Sequence, residues 1–241
     1  MRLIDVSFER PAMNLALDEV LLDSLESGRA GETLRFWESP SPFVVLGVSQ
    51  VLAEHVDEAA CAAERVTVMR RCTAGGCVLQ GPGSLNYTLI LAHEGRAELA
   101  TIRSSYVYIL GCIAEALGAR GIDARHMGIC DLAVGDMKFS GNAQRRRKRG
   151  ILHHGTLLYG LDLELVERCL SEPADRPEYR RDRKHARFVR NVDLTTETLK
   201  TAVREAFNVE DEAAAPLAEE LAAAERLAHE KYDIPEWTRR R

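Results

Sequence analysis

Lys138 lies in the stretch Gly135-Asp136-Met137-Lys138-Phe139-Ser140-Gly141-Asn142-Ala143-Gln144, which reads as a strand entered from a Gly-Asp turn. Side chains alternate across a strand, so Met137 and Phe139 should share one face and Lys138 and Ser140 the other. With Met137 and Phe139 in a core, the lysine faces whatever approaches the opposite side. The small neighbours Ser140, Gly141 and Asn142 leave room there for a substrate. The plain alternative is a solvated lysine at a sheet edge.

A second cluster, Arg70-Arg71-Cys72-Thr73-Ala74-Gly75-Gly76-Cys77, runs from a strand into a loop of small residues. Two guanidinium forks beside a glycine pair can present N–H groups to a phosphate or carboxylate. A tight turn carrying surface arginines is the competing reading. A third cluster is His153-His154-Gly155-Thr156-Leu157-Leu158. Adjacent histidines on a strand point to opposite faces and do not readily share a metal, so a structural histidine is the simpler expectation. The run Arg145 to Arg149 has the composition of a solvated, self-repelling loop. Docking of an acidic protein is its functional alternative, and nucleic acid a third.

The elements that must position these clusters are legible in outline. Met13, Leu17, Val20, Leu21 and Leu25 recur at helical spacing from Pro11 to about Gly28. Thr33–Glu38 and Phe43–Val48 read as strands on either side of Ser39-Pro40-Ser41-Pro42. A helix over Glu54–Glu64 precedes strands Val66–Arg71, Cys77–Gln80 and Leu85–Leu91, expected to pair consecutively and antiparallel. Ile102, Tyr106, Ile109, Ile113 and Leu117 mark a long helix. Asp131–Val134 and Met137–Ala143 form a hairpin, Ile151–Tyr159 a further strand, and Leu163–Leu170, Thr196–Phe207 and Ala213–Lys231 the closing helices. Strands and helices do not alternate regularly enough for a doubly wound fold, so the class is α+β, with a mixed, largely antiparallel sheet flanked by helices.

At 241 residues the simplest organisation is one domain over 1–241. Apolar residues form 46% and charged residues 29% of the chain, which excludes fibrous and largely disordered classes. The net charge of −5 argues against nucleic-acid and anionic-membrane partners, and a non-catalytic nucleic-acid or protein-binding module would rest on Arg145 to Arg149 alone. Acidic residues interrupt the N-terminus where a signal peptide needs an apolar run, and no stretch has the length of a membrane span. A cytoplasmic location is expected. The six cysteines lack a CxxC pair, which speaks against a zinc site and for reduced, mostly packing thiols.

In order along the chain, Arg70 to Gly76, Asp131-Leu132-Ala133-Val134 with the lysine segment Gly135 to Gln144, and His154-Gly155-Thr156-Leu157-Leu158 resemble the lipoate protein ligase family. They look like its lipoate-binding loop, its lysine motif and the strand that follows. A looser likeness extends from Asn14-Leu15-Ala16-Leu17-Asp18-Glu19 to Lys231-Tyr232 and Glu236-Trp237-Thr238. The resemblance implies a fold similar to the catalytic core of biotin ligases and class II aminoacyl-tRNA synthetases. It implies a two-step reaction with ATP and Mg²⁺: lipoate or octanoate becomes an acyl-adenylate, and the acyl group passes to a lysine of a lipoyl carrier domain. That carrier would be of the 2-oxoacid dehydrogenase E2 or glycine cleavage H protein type.

By the same resemblance Lys138 is catalytic, stabilising charge on the carboxylate and later on the carbonyl oxygen. Substrate and adenylate contacts fall to Arg70, Arg71, Thr73, Gly75, Gly76, Asp131, Ser140, Gly141, His154, Gly155 and Thr156. Arg71 is preferred over Arg70, because strand neighbours diverge, and Asp131 orients Lys138 or helps hold Mg²⁺. Two features depart from the pattern: Cys77 follows the small-residue loop, and Gln80 stands where relatives often carry histidine. Many bacterial ligases of the family also carry a C-terminal accessory domain, whereas this sequence ends soon after Trp237. A separately encoded accessory subunit, activation without one, and a reaction that does not use ATP all stay open. The last of these is an octanoyltransferase, moving an acyl group from acyl carrier protein through a cysteine thioester. Cys130, beside Asp131 and near Lys138, is its nucleophile candidate. A biotin ligase would show a longer Gly/Arg adenylate loop.

Overall fold

The strand Ser84–Ala92 is buried at eight of its nine positions, and its two faces differ in chemistry. Leu85, Tyr87, Leu89 and Leu91 join one apolar cluster and Ile90 another, with Asn86 and Thr88 on the side of Ile90. In the computed structural model, which describes residues 1–173 and 176–241, this strand lies near the middle of a seven-stranded sheet. The strands are β1 (Arg2–Asp5), β2 (Thr33–Trp37), β6 (Ser84–Ala92), β7 (Ala124–Met127), β8 (Asp131–Val134), β9 (Met137–Arg146) and β10 (Gly150–Leu158). They pair in the order β1-β2-β6-β10-β9-β8-β7. Only β1 and β2 run parallel in this sheet.

A smaller sheet contains β3 (Phe43–Leu46), β4 (Thr67–Arg70) and β5 (Val78–Gln80), in the order β4-β3-β5. The three strands expected to pair consecutively are therefore divided between two sheets, and β4 pairs parallel with β3. The chain changes sheets at the Ser39-Pro40-Ser41-Pro42 turn between β2 and β3 and at the Gly81-Pro82-Gly83 turn between β5 and β6. The helix expected over Glu54–Glu64 is two short ones, α2 (Leu52–His55) and α3 (Glu58–Ala63). Val56 is extended between them and bridges Leu170, while Asp57 caps α3 by accepting from Ala60 N.

Helix α1 (Pro11–Glu26) starts on a proline at its first turn. It ends where Gly28, at φ +73°, donates its N–H to Leu25 O. It is buried on nearly every side, between the large sheet and α8 (Ala218–Leu227). Its polar residues Asn14, Asp18 and Glu19 are therefore interior. The opposite face of the sheet is covered by α4 (Ile102–Gly118), capped by Thr101, and by α7 (Thr196–Ala206). Helix α5 (Leu163–Cys169) packs with α3 on the small sheet. Helices α6 (His185–Phe188) and α9 (Pro235–Arg239) complete the set, and the closing helix expected over Ala213–Lys231 is α8 continued by a π turn over Ala228–Tyr232. No described helix is long and apolar enough to cross a membrane.

Candidate functional site

Lys138 owes its position to a β-bulge. In the β8–β9 pairing Asp131 faces Gly141 and Leu132 faces Ser140, but Ala133 faces Lys138, which leaves Phe139 as an extra residue. The expected alternation fails at this point. Phe139 enters the core under α4, and Lys138 turns toward Gly141, where an added Cβ would lie 2.8 Å from Nζ. Ser140, expected beside the lysine, is instead fully buried and accepts from Asn142 Nδ2 at 3.1 Å. It does not line the cavity that Lys138 lines.

The Lys138 ammonium is 2.7 Å from Asp131 Oδ1. Tyr179, on the segment leading to α6, donates its hydroxyl to Asp131 Oδ2 at 2.8 Å. Burial pulls the ammonium down, but Asp131 outweighs it and holds Lys138 above the ordinary lysine range. It therefore carries its charge throughout the neutral range.

The cavity holds about 80 Å³ of free space, enough for about three waters. Gly141, Thr156, Asn86 and Trp37 lie along one side, since Thr156 pairs with Asn86 and Asn86 with Trp37 across three strands of the large sheet. Leu15 of α1 and Val45, Val78 and Gln80 of the small sheet contribute further walls, as do Gly76 and Gly155. Arg71, His154 and Cys130 also line this space. Gly155 is required by its neighbours, because an added Cβ would lie 1.7 Å from Asn142 Oδ1.

The two arginines have different roles. Arg71 sends Nε to Thr73 Oγ1 at 2.8 Å and Nη2 to the carbonyls of Ala74 and Gly76 at 2.7 and 2.9 Å. It thus shapes the glycine loop from within while lining the cavity. Gly75, at φ +92°, lets that loop turn, and an added Cβ would lie 3.0 Å from Arg71 Nη2. Gly76 faces open space. Arg70, expected as a phosphate or carboxylate contact, is fully buried and does not line the cavity. It donates to Thr238 O, Gly47 O and Gln50 O. The direction of a strand's alternation decided the matter: Arg70 faces the chain's end, where Trp237 Nε1 returns a hydrogen bond to Arg70 O at 2.7 Å.

His154 joins the glycine loop to α1. Its Nε2 is 2.8 Å from Thr73 Oγ1 and its Nδ1 is 3.3 Å from Asp18 Oδ2. Asp18 is also held by Arg35 at 2.5 Å and Thr88 at 2.8 Å. Desolvation of Asp18 is outweighed by Arg35 and His154, which keep its carboxyl below the usual range. His153 points to the other face, as expected of its neighbour, and contacts the Tyr87 hydroxyl at 3.2 Å. That hydroxyl donates to Asn142 Oδ1 at 2.5 Å, and Asn142 Nδ2 donates to Cys130 O at 2.8 Å.

The Cys130 thiol has only a long contact to Asp131 Oδ1, at 4.0 Å. Burial and Asp131 push it above the ordinary cysteine range, although Lys138 and Arg71 pull the other way. Lys138 and Tyr179 occupy both oxygens of Asp131. No cluster of three metal-ligating side chains occurs among the described residues. Tyr179 was not singled out from sequence; Asn142 was named only as a small neighbour of Lys138 and Asp18 only within the looser likeness, without the hydrogen bonds they make here.

The description lipoyl protein ligase A/B catalytic domain matches residues 10–218. The chain is 31% identical to octanoyltransferase LipM of Geobacillus kaustophilus, covering all of this chain and 98% of the relative. It is also 31% identical to lipoate–protein ligase 1 of Staphylococcus aureus over 66% of this chain, which spans 46% of that protein. Among solved structures, the bi-partite lipoate protein ligase of Thermoplasma acidophilum superposes with a TM-score of 0.84 at 25% identity, covering 99% of this chain and 95% of the other. The chain therefore belongs to the lipoyl protein ligase A/B catalytic-domain family and is an enzyme of the lipoate ligase and octanoyltransferase group.

Proposed function

We propose that this protein activates lipoate or octanoate with ATP and passes the acyl group to a lysine of a lipoyl carrier domain. The observation that carries the reading is the Lys138 ammonium, turned into the cavity by the bulge and kept charged by Asp131. In the first step a carboxylate oxygen attacks the α-phosphorus and pyrophosphate leaves. In the second the acceptor amine attacks the acyl carbonyl, AMP leaves, and the amine's proton passes to solvent. Negative charge grows on oxygen in both, and a fixed ammonium stabilises it without reorganising. Mg²⁺ belongs to the reading as a companion of the nucleotide, and no step is assigned to it. The carrier would be of the E2 or H protein type. A separately encoded accessory subunit is included because the Thermoplasma relative is described as bi-partite.

A second reading is favoured by one site observation and one comparison. Cys130 lines the same cavity as Lys138, and the alignment to an octanoyltransferase spans the whole chain. In that reaction the thiolate displaces a carrier thiol from an octanoyl thioester, and the acceptor amine then releases Cys130. The raised thiol argues for the adenylate route. Incubation with ATP, Mg²⁺ and lipoate or octanoate should release pyrophosphate and form acyl-AMP, followed by acylation of an added carrier lysine. Acylation from octanoyl carrier protein without ATP, and no pyrophosphate, would decide for the transferase.

A further inference from the structure

We propose that the exposed cations Arg181, Lys184 and Arg187 form the docking surface for an acidic carrier domain whose acceptor lysine enters beside Lys138. This rests on the acyl-transfer reading and adds to it where the carrier binds. The sequence directed attention to Arg145–Arg149, but two of those five cations are paired with carboxylates within the chain. Arg145 pairs with Glu19 at 2.6 Å and Arg147 with Asp23 at 2.9 Å. Arg146 donates to Leu99 O at 2.6 Å, and Arg149 hydrogen-bonds through its backbone N–H to Glu26.

Residues 176–190 carry seven arginines and lysines against two acidic residues, in a chain whose net charge is −5. Two of these cations anchor the segment. Arg180 pairs with Glu172, and Arg183 pairs with Asp136 at 2.9 Å in the turn before β9. Both guanidinium groups also lie over the Phe188 ring. Arg181, Lys184 and Arg187 are exposed and have no acidic side chain within salt-bridge distance among the described residues. Arg181 is carried at φ +53°, an unusual conformation for a residue with a Cβ. The segment is thus a fixed platform that holds uncompensated positive charge outward.

Its location ties the charge to the chemistry. Arg190 N donates to Lys138 O at 2.8 Å, Val189 bridges Lys138, and Tyr179 holds Asp131. The acceptor reaches the reacting carbonyl through one lysine side chain, so the body of its domain must rest on the surface around Lys138. An acidic domain is attracted by that surface, and such rim charges act chiefly through association rate and salt dependence.

The test is the triple variant Arg181→Glu/Lys184→Glu/Arg187→Glu, assayed with an isolated acidic lipoyl domain and, separately, in the first half-reaction without carrier. Its KM for the lipoyl domain should rise about tenfold or more at low salt, with the wild-type salt dependence largely lost. Acyl-AMP formation and melting temperature should not change. An unchanged KM overturns the proposal. So does an equal loss in the half-reaction, which would assign the cations to substrate phosphates. Loss of binding to a single-stranded RNA oligomer with carrier transfer intact overturns it in favour of nucleic acid. Wild-type enzyme that acylates no carrier at all overturns the functional reading underneath, and direct titration of the lipoyl domain against both proteins still tests the surface.

Discussion

Tyr179 donates its hydroxyl to Asp131 across 48 residues of sequence, at 2.8 Å, and so fixes the carboxylate that holds the Lys138 ammonium. Hydrogen bonds to charged groups contribute about 1.5–3 kcal/mol. Tyr179→Phe retains the ring packed 5.2 Å from Phe188 and removes only the donor. We expect kcat for acyl transfer to fall about tenfold, with KM for the acyl substrate nearly unchanged and the melting temperature lowered by no more than about 10 °C. An equal loss in kcat and thermal stability would make Tyr179 merely structural.

Lys138→Ala should lower acyl transfer by about two to three orders of magnitude, comparable to removal of an oxyanion donor. The fold should persist, because the lysine side chain lies at the cavity and the neighbouring Phe139 supplies the core contact. Lys138→Arg should rescue little, since its planar fork does not fit over Gly141, where the present side chain already approaches closely. Wild-type turnover in either variant removes Lys138 from the reaction.

These residues show what was legible in the sequence. Helical spacing identified α1, and small polar residues drew attention to Lys138, because both signals are local. Whether Arg70 or Arg71 faces the cavity depends on how β4 sits against β3 and α9, contacts that join Arg70 to Thr238. The bulge at Phe139 depends on pairing with β8, and alternation alone gives no sign of it. Tyr179 reaches the site through chain topology. Strand β1 escaped notice because its four residues gain stability by parallel pairing to β2 rather than from their own pattern.

The glycine loop separates its two glycines. Gly75→Ala meets both a positive φ and a contact at 3.0 Å to Arg71 Nη2, whereas Gly76→Ala meets open space. Gly75→Ala should cost about 1–2 kcal/mol of stability and raise KM for the acyl substrate as Arg71 shifts. Gly76→Ala should leave stability unchanged. Denaturant titration of both variants beside steady-state kinetics makes the comparison, and the reverse ranking would contradict the loop geometry.

Cys130→Ser distinguishes the two chemistries. In the adenylate route no bond to sulfur forms, so the variant should retain acyl transfer within a few-fold. In the thioester route an isolated serine hydroxyl is a poor nucleophile near neutral pH, and activity should nearly vanish. Intact mass after exposure to octanoyl carrier protein without ATP gives a second measure. A thiol adduct present in wild type and missing in Cys130→Ser would establish the transferase.

His153 gives the fold a pH dependence of known sign. Burial, then the neighbouring His154 and His126, lower its pKa from 6.5 to about 3. Its Nδ1 has no partner, while Nε2 meets the Tyr87 hydroxyl. Because that hydroxyl already donates to Asn142, the neutral ring must donate from Nε2, and a second proton would be buried unpaired. Between pH 6.5 and 3 the unfolded chain binds this proton and the folded chain does not. Stability therefore falls as the pH drops below 6.5, with the full contribution present above it. For this one group the loss between pH 7 and pH 5 is about 2 kcal/mol. His153→Phe keeps a ring beside Tyr106 and removes the titration. Urea denaturation at the two pH values should give a stability difference smaller by about that amount in the variant. Identical differences in the two proteins would mean that the buried imidazole is protonated in the folded state, and the chain of hydrogen bonds from His153 through Tyr87 and Asn142 to Cys130 O would then run in a different order.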